Sequence, residues 1–365
     1  MKKLTLILFS VGAGLLISCN ENGALDKTND FDQQPLLENL GNNLILPAYE
    51  HLTQANEALS DAFVLLKADP NSTTLDDFRS KLKSARLAWQ ACAPYQFGPA
   101  ETRSLTNELN IYPVDQTQIN QNISSGSYDL STLSNIDAKG FQAISYLVYG
   151  DPDAQEDILS SLSAERLQYI EDVLTRISTT SSDVYNDWKE DGGNYISEFS
   201  AEDALGVDVG SSVGKLINAL NRDFERNTRD GKIGIPVGIR TLGEPIPTSS
   251  EAYYAGYSVE LLVANIEAYK SLYFGGNGIG LDDYLKAIGG TTIDNADLNQ
   301  SIATQFENIE SAIGKISDPL PQTIQSQKED VEMVFAEMQI MNALLKTDLA
   351  STIGVVITYQ DNDGD

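Results

Sequence analysis

The side chains best suited to acid–base catalysis or metal binding are few in this chain. Its single histidine is His51, and its two cysteines are Cys19 and Cys92. His51 is followed by Leu-Thr-Gln-Ala, so the sequence has no His-Glu-x-x-His pair that would bind zinc. General bases and activated nucleophiles therefore have few candidates, and the chemistry left to the chain is mainly that of carboxylates, amides and tyrosines.

Three short motifs resemble known sites, but each lacks an essential part. Residues 210–214 match Gly-x-Ser-x-Gly, yet they continue the helical spacing of their neighbours, and only His51 could serve as the base. The glycine-rich residues 275–280 follow a predicted helix and lack the Lys-Ser/Thr of a phosphate loop. Residues 361–365 resemble the opening of a calcium loop without its bidentate glutamate. None of the three predicts a site.

The first residues predict a lipoprotein signal peptide. Lys2 and Lys3 precede an apolar stretch, residues 4–17, which leads through one serine to Cys19. A basic segment, an apolar segment and a small residue before the cut are typical of secretory signals, and the stretch is shorter than the roughly 20 residues of a transmembrane helix. Because Leu-Ile-Ser before the cysteine matches a bacterial lipobox, we expect residues 1–18 to be removed and Cys19 to be diacylated.

The residues after the cleavage site predict a tether to a membrane. Residues 19–35 are polar, acidic and without apolar periodicity. Two acyl chains suffice for stable anchoring, so the lipid on Cys19 is the expected membrane contact. Asn20 is not an aspartate retention signal, which favours the outer membrane of a Gram-negative envelope, on its periplasmic face or at the cell surface.

The charge of the chain excludes one class of partner. It has 53 acidic against 24 basic residues, for a formal net charge of −29. The basic residues are interspersed with acids, and no basic patch is present to displace counterions, so nucleic acid is not an expected partner. With Cys19 expected to be acylated, Cys92 is the one free cysteine after the cleavage site, so no intramolecular disulfide is expected.

Apolar spacing is helical along nearly the whole chain and predicts an all-α fold. Eight amphipathic segments, four on each side of residues 192–193, favour two tandem helical bundles, at 36–192 and 193–358, followed by an acidic tail, 359–365. One segment starts at a capping signal at Thr74 and carries an apolar face formed by Phe78, Leu82, Ala85, Trp89 and Cys92.

Two stretches without such periodicity are predicted to be connections. Residues 98–136 are rich in Asn, Gln, Ser and Thr and predict a long loop. Residues 231–247 are rich in glycine and proline and predict a link between two helices.

Several segments resemble the imelysin family, also called peptidase M75. The resemblance covers roughly residues 36–350 and is carried by Ala88–Glu101 (with Trp-Gln-Ala-Cys-Ala-Pro-Tyr), Asn110–Asp115, Gly140–Gly150, Gly234–Pro236 and Glu251–Ile266. It implies two helical-bundle-like domains with a site in the cleft between them.

The family signature, Gly-x-His-x-x-Glu, is altered in this chain. The corresponding residues are Gly140, Gln142 and Ser145. Helix positions three apart share one face, so a His and a Glu there could converge on a metal ion or substrate. Glutamine and serine supply an amide and a hydroxyl instead. The resemblance therefore implies the fold, whereas peptidase or metal chemistry is not expected to transfer, and no catalytic residue is assigned.

Imelysin-like proteins are associated with iron uptake, so the resemblance implies a non-enzymatic binding lipoprotein, with iron or haem as ligand and iron-uptake or other envelope proteins as partners. Two alternatives stay open: an imelysin-type metallopeptidase that retains activity through other ligands, and a structural partner in an envelope complex. We expect the cleft to be lined by eight residues: Gln142, Ser145, Trp89, Glu101, Tyr112, Asp115, Glu251 and Tyr254.

Overall fold

The computed structural model describes residues 31–154 and 156–359, so the signal peptide, Cys19 and residues 360–365 of the acidic tail lie outside the described residues. Within them the secondary structure is helical, with one isolated β-bridge between Thr291 and Asp297. The predicted all-α fold is confirmed. From Phe31 onward the described chain forms one compact unit, and the division at residues 192–193 stays a prediction. No helix of the described part is long and apolar enough to cross a membrane.

In the first half of the described chain, from Phe31 to Trp188, there are nine α-helices and two 3₁₀ turns, Ala93–Tyr95 and Leu133–Asn135. The α-helices are α1 (Gln33–Leu40), α2 (Leu46–Ala68), α3 (Ser72–Cys92), α4 (Pro99–Thr102), α5 (Leu105–Leu109), α6 (Gln116–Ser125), α7 (Gly140–Tyr149), α8 (Ile158–Ser161) and α9 (Ala164–Trp188).

The second half supplies nine more α-helices and two 3₁₀ turns, Glu202–Ala204 and Pro247–Ser249. They are α10 (Tyr195–Phe199), α11 (Ser212–Asp223), α12 (Ile235–Val237), α13 (Ser258–Phe274), α14 (Leu281–Ile288), α15 (Leu298–Ile313), α16 (Leu320–Ser326), α17 (Lys328–Ala343) and α18 (Ala350–Ile353).

Helix α3 carries the predicted apolar face, but it begins earlier than predicted. Asn71 is its N-cap: the side chain accepts from the backbone N–H groups of Thr73 and Thr74, and the Thr74 hydroxyl in turn accepts from the Asn71 N–H. Thr74 is thus the third residue of the helix and completes the capping box. All five residues of the predicted face, Phe78, Leu82, Ala85, Trp89 and Cys92, are buried.

Residues 98–136 are not one long loop, contrary to the prediction. Helices α4, α5 and α6 and the turn Leu133–Asn135 lie within them. These elements are short, and polar side chains fix several of their ends, as where Asp115 accepts from the N–H of Gln118 to cap α6. Such short helices carry too few apolar residues for a period of 3.6 to stand out.

Three π-helical segments interrupt the α-helices, at Gly41–Ile45, Phe224–Gly234 and Leu344–Leu349. The second is continuous with α11 and α12, so the backbone is helical from Ser212 to Val237. The predicted connection at 231–247 was therefore wrong for residues 231–237. Segments of π-helix are rare and occur frequently at functional sites.

Aromatic packing around Trp188, at the end of α9, ties distant segments together. Its ring centroid lies 6.0 Å from that of Tyr49, 5.8 Å from Phe97, 4.8 Å from Tyr195 and 5.5 Å from Phe199. Edge-to-face and tilted pairs of this kind stabilise a core beyond the area they bury. This packing holds α2, α9 and the segment that follows α3 in one core.

Candidate functional site

The three signature positions lie on α7, at the centre of the molecule. Gly140 begins the helix with φ +79°, and a Cβ built there would lie 2.6 Å from the backbone oxygen of Leu109. Only glycine fits this position without displacing α5. Gln142 and Ser145 are both fully buried, as expected for residues three apart on the inner face of a helix.

The steric constraint at Gly140 gives a testable prediction. Gly140→Ala is expected to lower the free energy of unfolding by about 3 kcal/mol, because it adds a clash to an unfavourable backbone conformation. Gly126, with φ +63° and no atom within 4 Å of a built Cβ, is the matched control, and its alanine variant should lose only about 1 kcal/mol. Urea unfolding of both variants measures the difference, and equal losses would refute the close approach to Leu109.

A buried arginine occupies the space between the two signature side chains. Arg86 on α3 is fully buried, and its Nη1 donates to Gln142 Oε1 at 3.1 Å and to Ser145 Oγ at 2.8 Å. Its Nη2 donates to the backbone oxygen of Glu251, and Ser145 Oγ donates onward to the Phe141 carbonyl at 2.9 Å. Both signature side chains therefore act as acceptors for one guanidinium group.

The Glu251 carboxylate lies beside this arginine and is almost completely buried. Its Oε1 accepts from Gln90 Nε2 at 2.8 Å and from Asn110 Nδ2 at 2.9 Å. Its Oε2 forms an ion pair with Lys232 Nζ, which also donates to Gln90 Oε1 at 2.8 Å. Burial raises the pKa of the Glu251 carboxyl. The attraction of Lys232 and Arg86, together with the hydrogen bonds from Lys232 and Asn110, outweighs the effect of burial and holds the pKa below its usual range.

A cavity of about 200 Å³ adjoins this polar cluster. Its wall combines residues of α3, the segment after α5, the end of α11 and the π-helix Phe224–Gly234 that follows α11. Among them are Trp89, Asn110, Tyr112, Asp223 and Lys232. A second cavity, of about 340 Å³, shares Thr106, Asp223, Arg226 and Asn227 with the first. Thr106 thus lines both cavities.

Asp223 is the one acidic residue on the wall of the first cavity. It is 3% exposed, and its carboxylate accepts from Asn227 Nδ2 at 2.6 Å and from the Tyr269 hydroxyl. Burial raises the pKa of Asp223 to about 6, against the lowering effect of these hydrogen bonds and of Lys232. Its carboxylate is thus mainly ionised at neutral pH and available to accept a hydrogen bond.

Five of the eight predicted cleft residues lie at this cluster or on the wall of the cavity. Gln142, Ser145 and Glu251 belong to the cluster around Arg86, and Trp89 and Tyr112 line the adjoining cavity. Because these residues come from four separate segments of the chain, their proximity is a property of the fold.

The structure places the other three predicted residues elsewhere. Glu101 is exposed, pairs with Arg222 at 2.9 Å and lines the second cavity. Asp115 is an exposed helix cap. Tyr254 accepts from Gln116 Nε2 at 2.9 Å and lines a separate groove of about 650 Å³.

Sequence reasoning missed the residues that complete the cluster: Arg86, Gln90, Asn110 and Lys232. A signal existed for two of them. Arg86 and Gln90 are four apart and lie among buried residues of α3, so a charge and an amide on a core-facing stretch of helix required buried partners. Lys232 gave no such signal, because it falls in the segment predicted as a connection.

The described residues were also searched for clustered metal-ligating side chains. No group of three or more His, Cys, Asp or Glu side chains within residues 31–154 and 156–359 is arranged to hold a metal ion. Around Gln142 and Ser145 the nearest charged partner is the Arg86 guanidinium.

Comparison with known proteins agrees with the architecture. A crystal structure described as a "putative iron-regulated protein A precursor" from Parabacteroides distasonis ATCC 8503 superposes with a TM-score of 0.73 at 19% identity, covering 88% of this chain and 95% of that chain. An imelysin-like protein from Psychrobacter arcticum 273-4 superposes with a TM-score of 0.68 at 18% identity, covering 90% and 97%. At these identities the likeness shows the fold alone. Among curated proteins no match was found.

The family itself is established by sequence. The model of the family described as imelysin, peptidase M75, matches residues 45–346. This match takes in α3, α7 and the π-helix, the elements that carry the cluster and the cavity. It spans well over half of the sequence, and the chain therefore belongs to the imelysin family.

Proposed function

We propose that this chain is a non-enzymatic lipoprotein of the imelysin family, which binds a small ligand in the cavity lined by Trp89, Tyr112 and Asp223 and takes part in iron acquisition. The observation that carries the proposal is the position of Arg86, whose guanidinium occupies the signature site. The cavity beside it provides a separate place where a ligand could bind.

The residues at the signature positions do not fit a metal ion. Gln142 Oε1 and Ser145 Oγ, the oxygen atoms that would face the metal, both accept hydrogen bonds from Arg86 Nη1. A cation there would be repelled by the guanidinium and by the nearby Lys232 ammonium, and in a buried site this repulsion is weakly screened. Neither neutral side chain offers the charge that holds a divalent ion.

The link to iron rests on relatives of the chain. The Parabacteroides protein, whose fold matches along most of both chains, is described as iron-regulated. We carry this association to the present chain as part of the proposal. Expression that rises at least severalfold on iron starvation would support it, and expression indifferent to iron would remove iron acquisition from the proposal while leaving ligand binding to be tested separately.

Ligand binding can be tested by native mass spectrometry of the protein purified from its own envelope. Thr106 lines both cavities and is partly exposed, so Thr106→Phe should obstruct them, with the loss of one hydrogen bond to Gln96 Oε1. Thr102, an exposed threonine on α4, is the matched control. We expect a bound small molecule in the wild type and in Thr102→Phe and its loss in Thr106→Phe. Absence of bound mass in all three, or equal retention, would contradict the proposal.

The absence of peptidase activity is tested on the same preparations. The insulin B chain, incubated with the wild-type protein with and without a chelator, should give identical mass spectra, because the signature site lacks the side chains to activate a metal-bound water. A cleavage product that the chelator abolishes would show that the enzymatic alternative is correct.

Membrane attachment is a separate prediction, which depends on Cys19. Cys19→Ser should abolish acylation and move the protein from the membrane fraction to the soluble fraction, since two acyl chains provide the attachment. Metabolic labelling with palmitate, followed by fractionation of inner and outer membranes, checks both the lipid and the predicted outer-membrane location. Unlabelled wild-type protein would refute the lipobox interpretation of residues 16–19.

A further inference from the structure

The first cavity has polar atoms on its wall that no described residue satisfies. Asn265 on α13 is fully buried and lines the cavity, and its Nδ2 has no hydrogen-bond partner within residues 31–154 and 156–359, although its Oδ1 accepts from Thr228 Oγ1 at 2.6 Å. Asn110 Oδ1 is likewise without a partner among these residues, while its Nδ2 is fixed by Glu251. Buried polar atoms left unpaired cost about 1–3 kcal/mol each, so both atoms point to a ligand that pairs with them.

Together with two charged side chains, these atoms form two donor–acceptor pairs on the wall of the cavity. Near the polar cluster, the Lys232 ammonium is the donor and Asn110 Oδ1 is the acceptor. Near α13, Asn265 Nδ2 is the donor and the Asp223 carboxylate is the acceptor. Tyr269, which like Asn265 lies on α13, donates a hydrogen bond to this carboxylate. The wall therefore bears two positive side chains, Arg226 and Lys232, and one negative side chain, Asp223, together with the unpaired Asn265 donor and the unpaired Asn110 acceptor.

The size of the cavity limits the ligand further. Its volume of about 200 Å³ lies below the roughly 300–1,000 Å³ of pockets that hold drug-sized ligands. Haem is a macrocycle several times larger than this volume. The rings and side chains of Trp89, Ile111 and Ile235 also line the cavity, so the ligand has room for a small apolar part beside its polar groups.

We infer that the ligand is a small carboxylic acid that also carries a hydroxyl or ammonium group. Its carboxylate accepts from Lys232 at the cluster end, and its hydroxyl or ammonium donates to Asp223. Asn110 Oδ1 and Asn265 Nδ2 provide the remaining acceptor and donor. The inference rests on the proposed function, since it names the chemistry of the ligand in the same cavity.

Isothermal titration with three six-carbon probes tests the inference. They are 4-methylpentanoate, 2-hydroxy-4-methylpentanoate and L-leucine, which differ only in having hydrogen, hydroxyl or ammonium beside the carboxylate. Lactate and propionate form a smaller matched pair. We expect at least one donor-bearing probe to bind about tenfold more tightly than its plain counterpart, as one hydrogen bond to a charged group allows. A preference for L-leucine identifies an amino acid, and a preference for the hydroxy acids identifies a hydroxycarboxylate.

Two asparagine variants decide whether binding occurs in this cavity. Asn265→Leu should weaken binding of the preferred probe about tenfold or more. Asn342→Leu is the control, because Asn342 is also a buried asparagine with an Oδ1 that lacks a described partner, but it does not line the cavity. Equal affinities for donor-bearing and plain probes, no binding of any probe, or equal losses in the two variants would overturn the inference. If Thr106→Phe still removes a bound mass in native spectra, the proposed function survives and only the ligand class is wrong.

Discussion

Replacing Arg86 with methionine is expected to lower the free energy of unfolding by about 3–5 kcal/mol. Methionine keeps much of the side-chain volume, but Gln142 Oε1 and the Glu251 carbonyl lose their buried donor. The Glu251 carboxylate also loses one of the two positive charges that stabilise it. Urea unfolding followed by circular dichroism measures the loss.

The control for this variant is Lys83→Met on the same helix. Lys83 is 37% exposed and pairs with Glu260 at the surface, so its loss should cost less than about 1 kcal/mol. Arg86→Lys should fall between the two, because an ammonium keeps the charge but cannot reach three acceptors as the planar guanidinium does. If Arg86→Met and Lys83→Met lose the same stability, Arg86 does not organise the site.

The second large effect concerns the buried pair of Lys232 and Glu251. Lys232→Met is expected to cost about 3–5 kcal/mol, because it leaves a buried carboxylate without its ion-pair partner. Glu251→Gln/Lys232→Met removes both members of the pair while Arg86 keeps its charge, so the double variant should lose less stability than the sum of the losses in the two single variants. Lys286→Met serves as the surface control: Lys286 is 55% exposed and pairs with Asp282 and Asp283, so less than about 1 kcal/mol should be lost.

The pH dependence that Glu251 gives to the free energy of unfolding should change sign in Lys232→Met. In the wild type the pKa of Glu251 is held below its usual range. The ionised carboxylate therefore stabilises the fold above the unfolded-state pKa, and this contribution is lost as the pH falls through the folded-state pKa. Without Lys232, burial becomes the dominant influence and should raise that pKa. The variant should then lose stability as the pH rises, whereas Glu251→Gln removes this dependence. Unfolding free energies at pH 4 and pH 7 distinguish these outcomes, and an unchanged slope in Lys232→Met would contradict the ion pair.

The sequence was sufficient to predict the helical fold, because amphipathic spacing is a local property of a long helix. The apolar face of α3 was predicted correctly for this reason. The short helices α4 to α6 were missed because they have only about one to three turns each. Polar caps determine where several of them end. The π-helix was missed because its glycines, at Gly231 and Gly234, are typical of a connection, although the backbone there continues the helix.

The candidate site was predictable only where the family signature marks it. Gln142 and Ser145 were identified in this way, and the structure places them together. Arg86 could not be paired with Glu251 from sequence, because 165 positions separate the two residues and only the packing of α3 against the segment before α13 brings them together. Long-range contacts between buried polar groups depend on the tertiary fold, which periodicity does not encode.

The Arg86 guanidinium between Gln142 and Ser145 accounts for a chain that keeps the family fold although its Gly-x-His-x-x-Glu signature is altered. Arg86 satisfies both signature side chains and binds the segment at Glu251. Lys232, Gln90 and Asn110 satisfy the Glu251 carboxylate. The cluster thereby joins segments from both halves of the chain, and the wall of the adjoining cavity depends on it. Stability and ligand binding are thus expected to decline together when Arg86 or Lys232 is replaced.

The central claim is that the signature site contains an arginine and not a metal ion. Anomalous diffraction at the zinc and iron edges, from crystals of the protein grown with each metal, tests it most directly. We expect the Arg86 guanidinium between Gln142 and Ser145, with no anomalous peak within coordination distance, about 2–2.5 Å, of either side chain. An anomalous peak bonded to Gln142 or Ser145, with Arg86 displaced from them, would show that the signature site binds a metal ion.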